Sequence, residues 1–140
     1  MALRTRFTEL VGCAVPIQLA PMFGVPTPDL IAAVNAAGGM GMLGAGPLPP
    51  RALASTLEQV RARTTGPVGV NILVPALATL DDDDRAALVE TAAGGATLVD
   101  FYHATPDPGL VERVHRSGAL AGWQVGSLDD ARRAVAAGCD

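Results

Sequence analysis

The feature that most restricts this chain is a repeated unit. A short apolar run gives way to Pro, Ser or Asp, an amphipathic stretch follows, a glycine ends it, and a new apolar run begins. The runs cover residues 16–22 (PIQLAPM), 40–43, 68–74 (VGVNILV), 96–103 (ATLVDFYH) and 119–125 (ALAGWQV). Strand starts near 16, 40, 68, 97 and 119 are spaced by 24, 28, 29 and 22 residues. That regularity predicts βα units and a parallel sheet. The runs are apolar without strict alternation, as in strands covered on both sides.

The punctuation between runs is physical. Thr27-Pro28-Asp29 offers a capping hydroxyl, a proline at the first helical position and an acid beside it. Gly38-Gly39 supplies a left-handed stop. Pro49-Pro50, the acids Asp81 to Asp84, Pro106 with Pro108, and Ser127-x-x-Asp130 open the next four helices. Gly39-x-Gly41-x-x-Gly44 matches a dinucleotide fingerprint in letters only, because it leaves a helix and enters a strand. Eight units of this size would total roughly 210 residues, near the span of a (β/α)8 barrel. The expectation is an α/β fold of (β/α)8 TIM-barrel type, incomplete, with about five βα units. One domain covers residues 1–140, with 1–15 as an N-terminal lead-in segment. A complete five-stranded flavodoxin-like sheet is the competing architecture.

Composition narrows the chemistry. All ten cations are arginines, so a P-loop lysine, a Schiff-base lysine and a pyridoxal-phosphate anchor are excluded. The net charge of −4 and the scattered arginines give no nucleic-acid face. Cys13 and Cys139 form no CxxC or Cys/His cluster, so no metal site is expected, and reduced thiols fit a cytoplasmic protein. Leu10-Val11-Gly12-Cys13 mimics a lipoprotein cleavage box, but Thr5 to Glu9 is too polar for a signal peptide. The apolar stretch from Leu30 to Leu48 is broken by Asn35 and glycines, so no membrane partner is expected.

A parallel barrel gathers its active site at the C-terminal ends of its strands. There stand Ala20-Pro21-Met22-Phe23, Gly44-Ala45-Gly46, Asn71, Tyr102-His103 and Gln124. These amides, glycines and one thioether suit a flat, partly apolar ring. They also suit tight turns, a core methionine and a structural amide, and residues alone leave that choice open.

PIQLAPMFGVPTPDLIAAVNAAGGMGMLGAG, GPVGVNILVP and VGSLDDARRAVAAGCD resemble the nitronate monooxygenases, formerly 2-nitropropane dioxygenases, over about residues 16–140. The resemblance implies an FMN-dependent barrel that oxidises alkyl nitronates or nitroalkanes with O2 to a carbonyl compound and nitrite. It implies cofactor contacts at Ala20, Pro21, Met22 and Asn71, with Phe23 and His103 toward the substrate. The family's catalytic histidine lies beyond Asp140, as do its phosphate-holding loops and its marked glutamine, so Gln124 inherits no role. The expectation is therefore an N-terminal segment, inactive alone. A flavin-type enoyl-acyl-carrier-protein reductase or related barrel oxidoreductase, and a non-catalytic half-barrel completed by a partner chain, are the alternatives.

Overall fold

The computed structural model describes residues 3–140. Four parallel strands, β1 (Gly41–Gly44), β2 (Val68–Leu73), β3 (Leu98–Tyr102) and β4 (Leu120–Trp123), pair in chain order. Helices α2 (Pro28–Ala36), α3 (Pro50–Arg61), α5 (Asp82–Gly95), α6 (Pro108–Arg116) and α7 (Leu128–Ala136) alternate with them. The caps follow the local chemistry: Thr27 accepts from Leu30 N–H at 3.2 Å, Asp81 from Asp84 N–H at 2.8 Å and Ser127 from Asp130 N–H at 3.1 Å.

A doubly wound sheet reverses its strand order and carries helices on both faces. This sheet keeps its strands in chain order, and the helices that connect them lie on one face. Leu43, Val68, Val70, Ile72, Val99, Phe101 and Ala121 turn to one face and pack on Ile31, Leu53, Leu57, Val60, Leu88, Val89, Val111 and Val114 of the helices. Met40 and Met42 belong to a separate cluster with Val11 and Cys13, joined by Phe7, Leu98 and Leu120. The sheet is thus an arc of a (β/α)8-type barrel, helices outside and a distinct inner face.

Three elements differ from the sequence expectation. Residues 16–22 form no continuous strand. They run parallel to β1 through bridges at Gln18–Met40 and Phe23–Gly44, with Met40 N–H donating to Ile17 C=O at 2.9 Å and Leu19 N–H to Met40 C=O at 2.9 Å. Pro16 and Pro21 remove two backbone donors from the segment. The apolar run at 68–74 stops one residue short, and α4 (Val74–Leu77) turns immediately after it with Pro75 in its first turn. The lead-in contains a helix, α1 (Arg6–Val11), closed by a reciprocal capping box between Thr5 and Thr8. Its residues Phe7 and Val11 cover the lower inner face. Among the described residues, no helix is long and apolar enough to cross a membrane.

The closest helix–strand seat is at Gly41. A Cβ there would overlap the Ile31 side chain and lie 3.4 Å from its Cα. Ile31 is fully buried and β-branched, so it cannot swing aside. Ile31→Ala should cost about 2–5 kcal/mol in urea denaturation, and Gly41→Ala about 1–3 kcal/mol. The double variant should be more stable than the sum of the two losses, because the new methyl enters the vacated space. Strict additivity would refute this seat as the limiting contact.

Candidate functional site

Strand alternation sorts the inner residues into rows across the sheet. Register pairs Met42 with Gly69, Leu98 and Leu120 in the lower row. It pairs Phe23 with Gly44, Asn71, Asp100 and Gly122 in the next row. Leu73 and Tyr102 follow toward the C-terminal rim. The lower row is apolar and covered by α1; the middle row is polar.

Asn71 and Asp100 are 5% and 6% exposed, so each needs partners. Asn71 Nδ2 donates to the Asp100 backbone oxygen and to Asp100 Oδ2, both at 3.1 Å. Gln124 Nε2 donates to the same Oδ2 at 2.5 Å. Burial pushes the Asp100 carboxyl above its ordinary value of 3.8, against the opposing pull of the hydrogen bonds from Gln124 and then Asn71. Among the described residues, no fully buried side-chain N or O lacks a partner. Asn71 Oδ1 has no partner among these bonds and is not fully buried.

The first loop meets this row directly. Its residue Phe23 bridges Gly44, whose neighbour is Asn71, and Ala45 N–H donates to Asn71 C=O at 2.9 Å. A Cβ on Gly44 would lie 3.1 Å from Phe23 N, and one on Gly46 would overlap the Phe23 ring. The glycines therefore let the loop settle on the β1 end. Ala20 is exposed, Pro21 half-buried, and Met22 and Phe23 are 39% and 57% exposed. A polarizable side chain and a proline-fixed backbone are thus open to a ligand.

On the other flank, Tyr102, His103, Gln124 and Gly126 line an open cleft of about 220 Å³. His103 has φ 67, the one positive value outside glycine among the described residues. This left-handed backbone carries strain of the kind that collects at ligand sites. Its ring stacks on Tyr102 at 4.1 Å between centroids. Trp123, buried against Phe101 with ring centroids 5.0 Å apart, donates its indole N–H to Ala104 C=O at 2.9 Å and ties the loop down. A larger cleft of about 410 Å³ lies between α5 and α6, on the helical side. Its Arg85, Arg113 and Arg116 are paired with Asp82, Glu90 and Glu112 at 3.2, 2.7 and 3.2 Å, so they offer no free charge cluster. The Cys139 thiol is pushed up by burial, then by Asp140 and Asp100, which keeps it from acting as a thiolate.

The structure gathers the predicted loop and Asn71 along one row and sets His103 at a separate cleft above β3. Sequence reasoning missed Asp100. Its signal was an acid inside the apolar run Leu98-Val99-Asp100-Phe101-Tyr102, at a position of the same parity as inward-facing Leu98. Gln124, left without a role, shares its carboxylate.

The inward polar row lies one step below the C-terminal rim of a parallel barrel arc, the end at which (β/α)8-type folds carry their small-molecule sites. The nitronate monooxygenase family model matches residues 4–140, and the chain belongs to that family. It is 34% identical, over all 140 of its residues, to a Mycobacterium tuberculosis protein named (3aS,4S,5R,7aS)-5-hydroxy-7a-methyl-1-oxo-octahydro-1H-indene-4-carboxyl-CoA dehydrogenase. The chain spans 38% of that relative's length. Thermotoga maritima FabK superimposes with a TM-score of 0.86 at 30% identity, over 99% of this chain and 42% of that one. A nitroalkane oxidase from Streptomyces ansochromogenes gives 0.81 at 27% identity, over 97% and 47%.

Asp100 also predicts a pH dependence. Its folded pKa is raised, so the folded state binds the proton more tightly than the unfolded chain does. The associated stability is complete below 3.8 and is lost as pH rises through the folded value. Urea midpoints of the wild type should fall across that window, and Asp100→Asn should flatten the fall. Parallel pH profiles for the two proteins would contradict the assignment.

Proposed function

We propose that this chain forms the N-terminal, ring-binding part of an FMN-dependent barrel oxidoreductase of the nitronate monooxygenase type. Family membership supports the class. One observation of the molecule carries the reading: the row from Phe23 through Gly44 to Asn71 leaves an unpartnered amide oxygen on the inner face, beside an accessible loop. An amide oxygen accepts from a ring N–H, and the open Met22 side chain offers a polarizable surface for a ring.

The residues present fit a flavin ring. Asn71 would accept from its pyrimidine edge, and the backbone of Ala20, Pro21 and Met22 would lie against it. Bound flavin would supply the redox step, oxidation of an alkyl nitronate or nitroalkane with O2 to a carbonyl compound and nitrite. The protein's own task is positioning. The α1 plug closes the lower inner face, and the amide fixes the ring's register. Phe23 and the strained His103 stand toward the substrate side. The catalytic base and the phosphate contacts are expected outside residues 1–140, in a cytoplasmic parent enzyme.

A second reading, a flavin barrel oxidoreductase acting on a thioester, has one specific support. The Mycobacterium relative aligned along the whole chain is named as a carboxyl-CoA dehydrogenase.

Titration of the purified chain with FMN, followed by flavin fluorescence, tests the shared part of both readings. Asn71→Ala should weaken binding about tenfold, as expected when a buried hydrogen-bond partner is removed. Binding should be weak, because the phosphate contacts are expected elsewhere; an Asn71→Ala variant that binds FMN as the wild-type chain does would overturn the proposal.

A further inference from the structure

Asp100 is the member of the inner row to which the flavin reading gives no task. It sits on β3 between two amides and beside a glycine. A Cβ on Gly122 would lie 3.2 Å from Asp100 Oδ1, so the missing side chain leaves the carboxylate its room. An ionised carboxylate and a backbone carbonyl accept hydrogen bonds and cannot donate them. The amide groups of Asn71 and Gln124 must therefore face Asp100 with nitrogen, as they do at 3.1 and 2.5 Å. A planar amide held by its nitrogen turns its oxygen the other way. Neither Asn71 Oδ1 nor Gln124 Oε1 is taken up by a described partner, and neither is fully buried.

We propose that Asp100 is a positioning residue that sets the polarity of the site floor. By holding the N–H2 groups of Asn71 and Gln124, it presents both carbonyl oxygens to the ligand and selects a heterocycle edge that donates N–H over one that only accepts. The inference rests on the flavin reading for its ligand, where the donor is the imide N–H of the isoalloxazine pyrimidine ring. The orientation of the amides rests on Asp100 alone. Both amides use the single acceptor Oδ2, so a leucine at position 100, which has no acceptor there, frees Gln124 to turn over and present N–H2, while the backbone oxygen still holds Asn71.

Two measurements test this on the full chain. First, wild type and Asp100→Leu are titrated with FMN and with N3-methyl-FMN, which lacks the imide proton. Methylation should weaken wild-type binding about tenfold, the effect of leaving desolvated acceptors without a donor. In Asp100→Leu the difference between the two flavins should narrow to about threefold or less. Second, side-chain amide exchange is read by NMR on the wild type. The N–H2 protons of Asn71 and Gln124 should exchange at least about tenfold more slowly than those of exposed Gln18 and Gln59. Equal discrimination by wild type and variant overturns the proposal. So does fast exchange at Asn71 and Gln124, whether or not the variant folds. Slow exchange together with FMN binding that Asn71→Ala leaves unchanged overturns the flavin reading and supports the orientation.

Discussion

The two faces of this sheet carry different burdens, and strand alternation keeps them apart. Each strand sends alternate side chains outward to the helices and inward to the axis. The outward set, from Leu43 through Val70 and Ile72 to Phe101, is fully apolar and packs in one cluster with residues of α2 to α7. Stability therefore resides outside, where burial of aliphatic side chains is extensive. The inward set is free to be polar one row above the α1 plug. A one-residue slip in β2 or β3 would exchange the sets and bury Asn71 and Asp100 among the helices. The register fixed by Val70–Val99 and Asn71–Asp100 is what makes a polar site compatible with a folded chain.

The polar row carries a thermodynamic cost. Desolvation of Asp100 opposes its ionisation, and the two amide donors offset only part of that. Gly44 and Gly122 add no packing of their own. An apolar row would hold the sheet more tightly and bind nothing selectively. The positive φ of His103 is a second local cost, at the rim of the same strand. Buried charge thus sits in the middle of the inner face and strain just beyond the end of β3, on the side of the sheet away from the outer helices.

Much of this was readable beforehand. Spacing and caps place five helices and four strands close to their observed limits, because Thr27, Asp81 and Ser127 act locally. The first run was misread because its apolar character suggests a strand, whereas Pro16 and Pro21 leave it too few donors for a ladder. The α1 helix is only six residues long, and its one local signal is the Thr5 and Thr8 capping box in a polar stretch. Asn71 stood out as an amide in an apolar strand. Asp100 did not, although the same parity argument applies to it. Its partners, Asn71 and Gln124, lie 29 and 24 residues away in sequence, and only the register brings them together.

The geometry also separates what the candidate reactions share from what divides them. Oxidation of a nitronate and redox chemistry on a thioester would use the same ring floor. On the proposed reading, substitutions at Asn71 or Asp100 would act on cofactor affinity and would not discriminate between the two. Discrimination would then fall to groups on the substrate side, which that reading assigns to Phe23, seated over Gly46, and to the Tyr102–His103 pair beside the cleft. The His103 backbone is the costly one to hold, which makes its ring a less easily replaced element than the loop around it. On that reading the choice of substrate lies in the loops above the strands, while the inner row would specify only what the ring must offer to be bound.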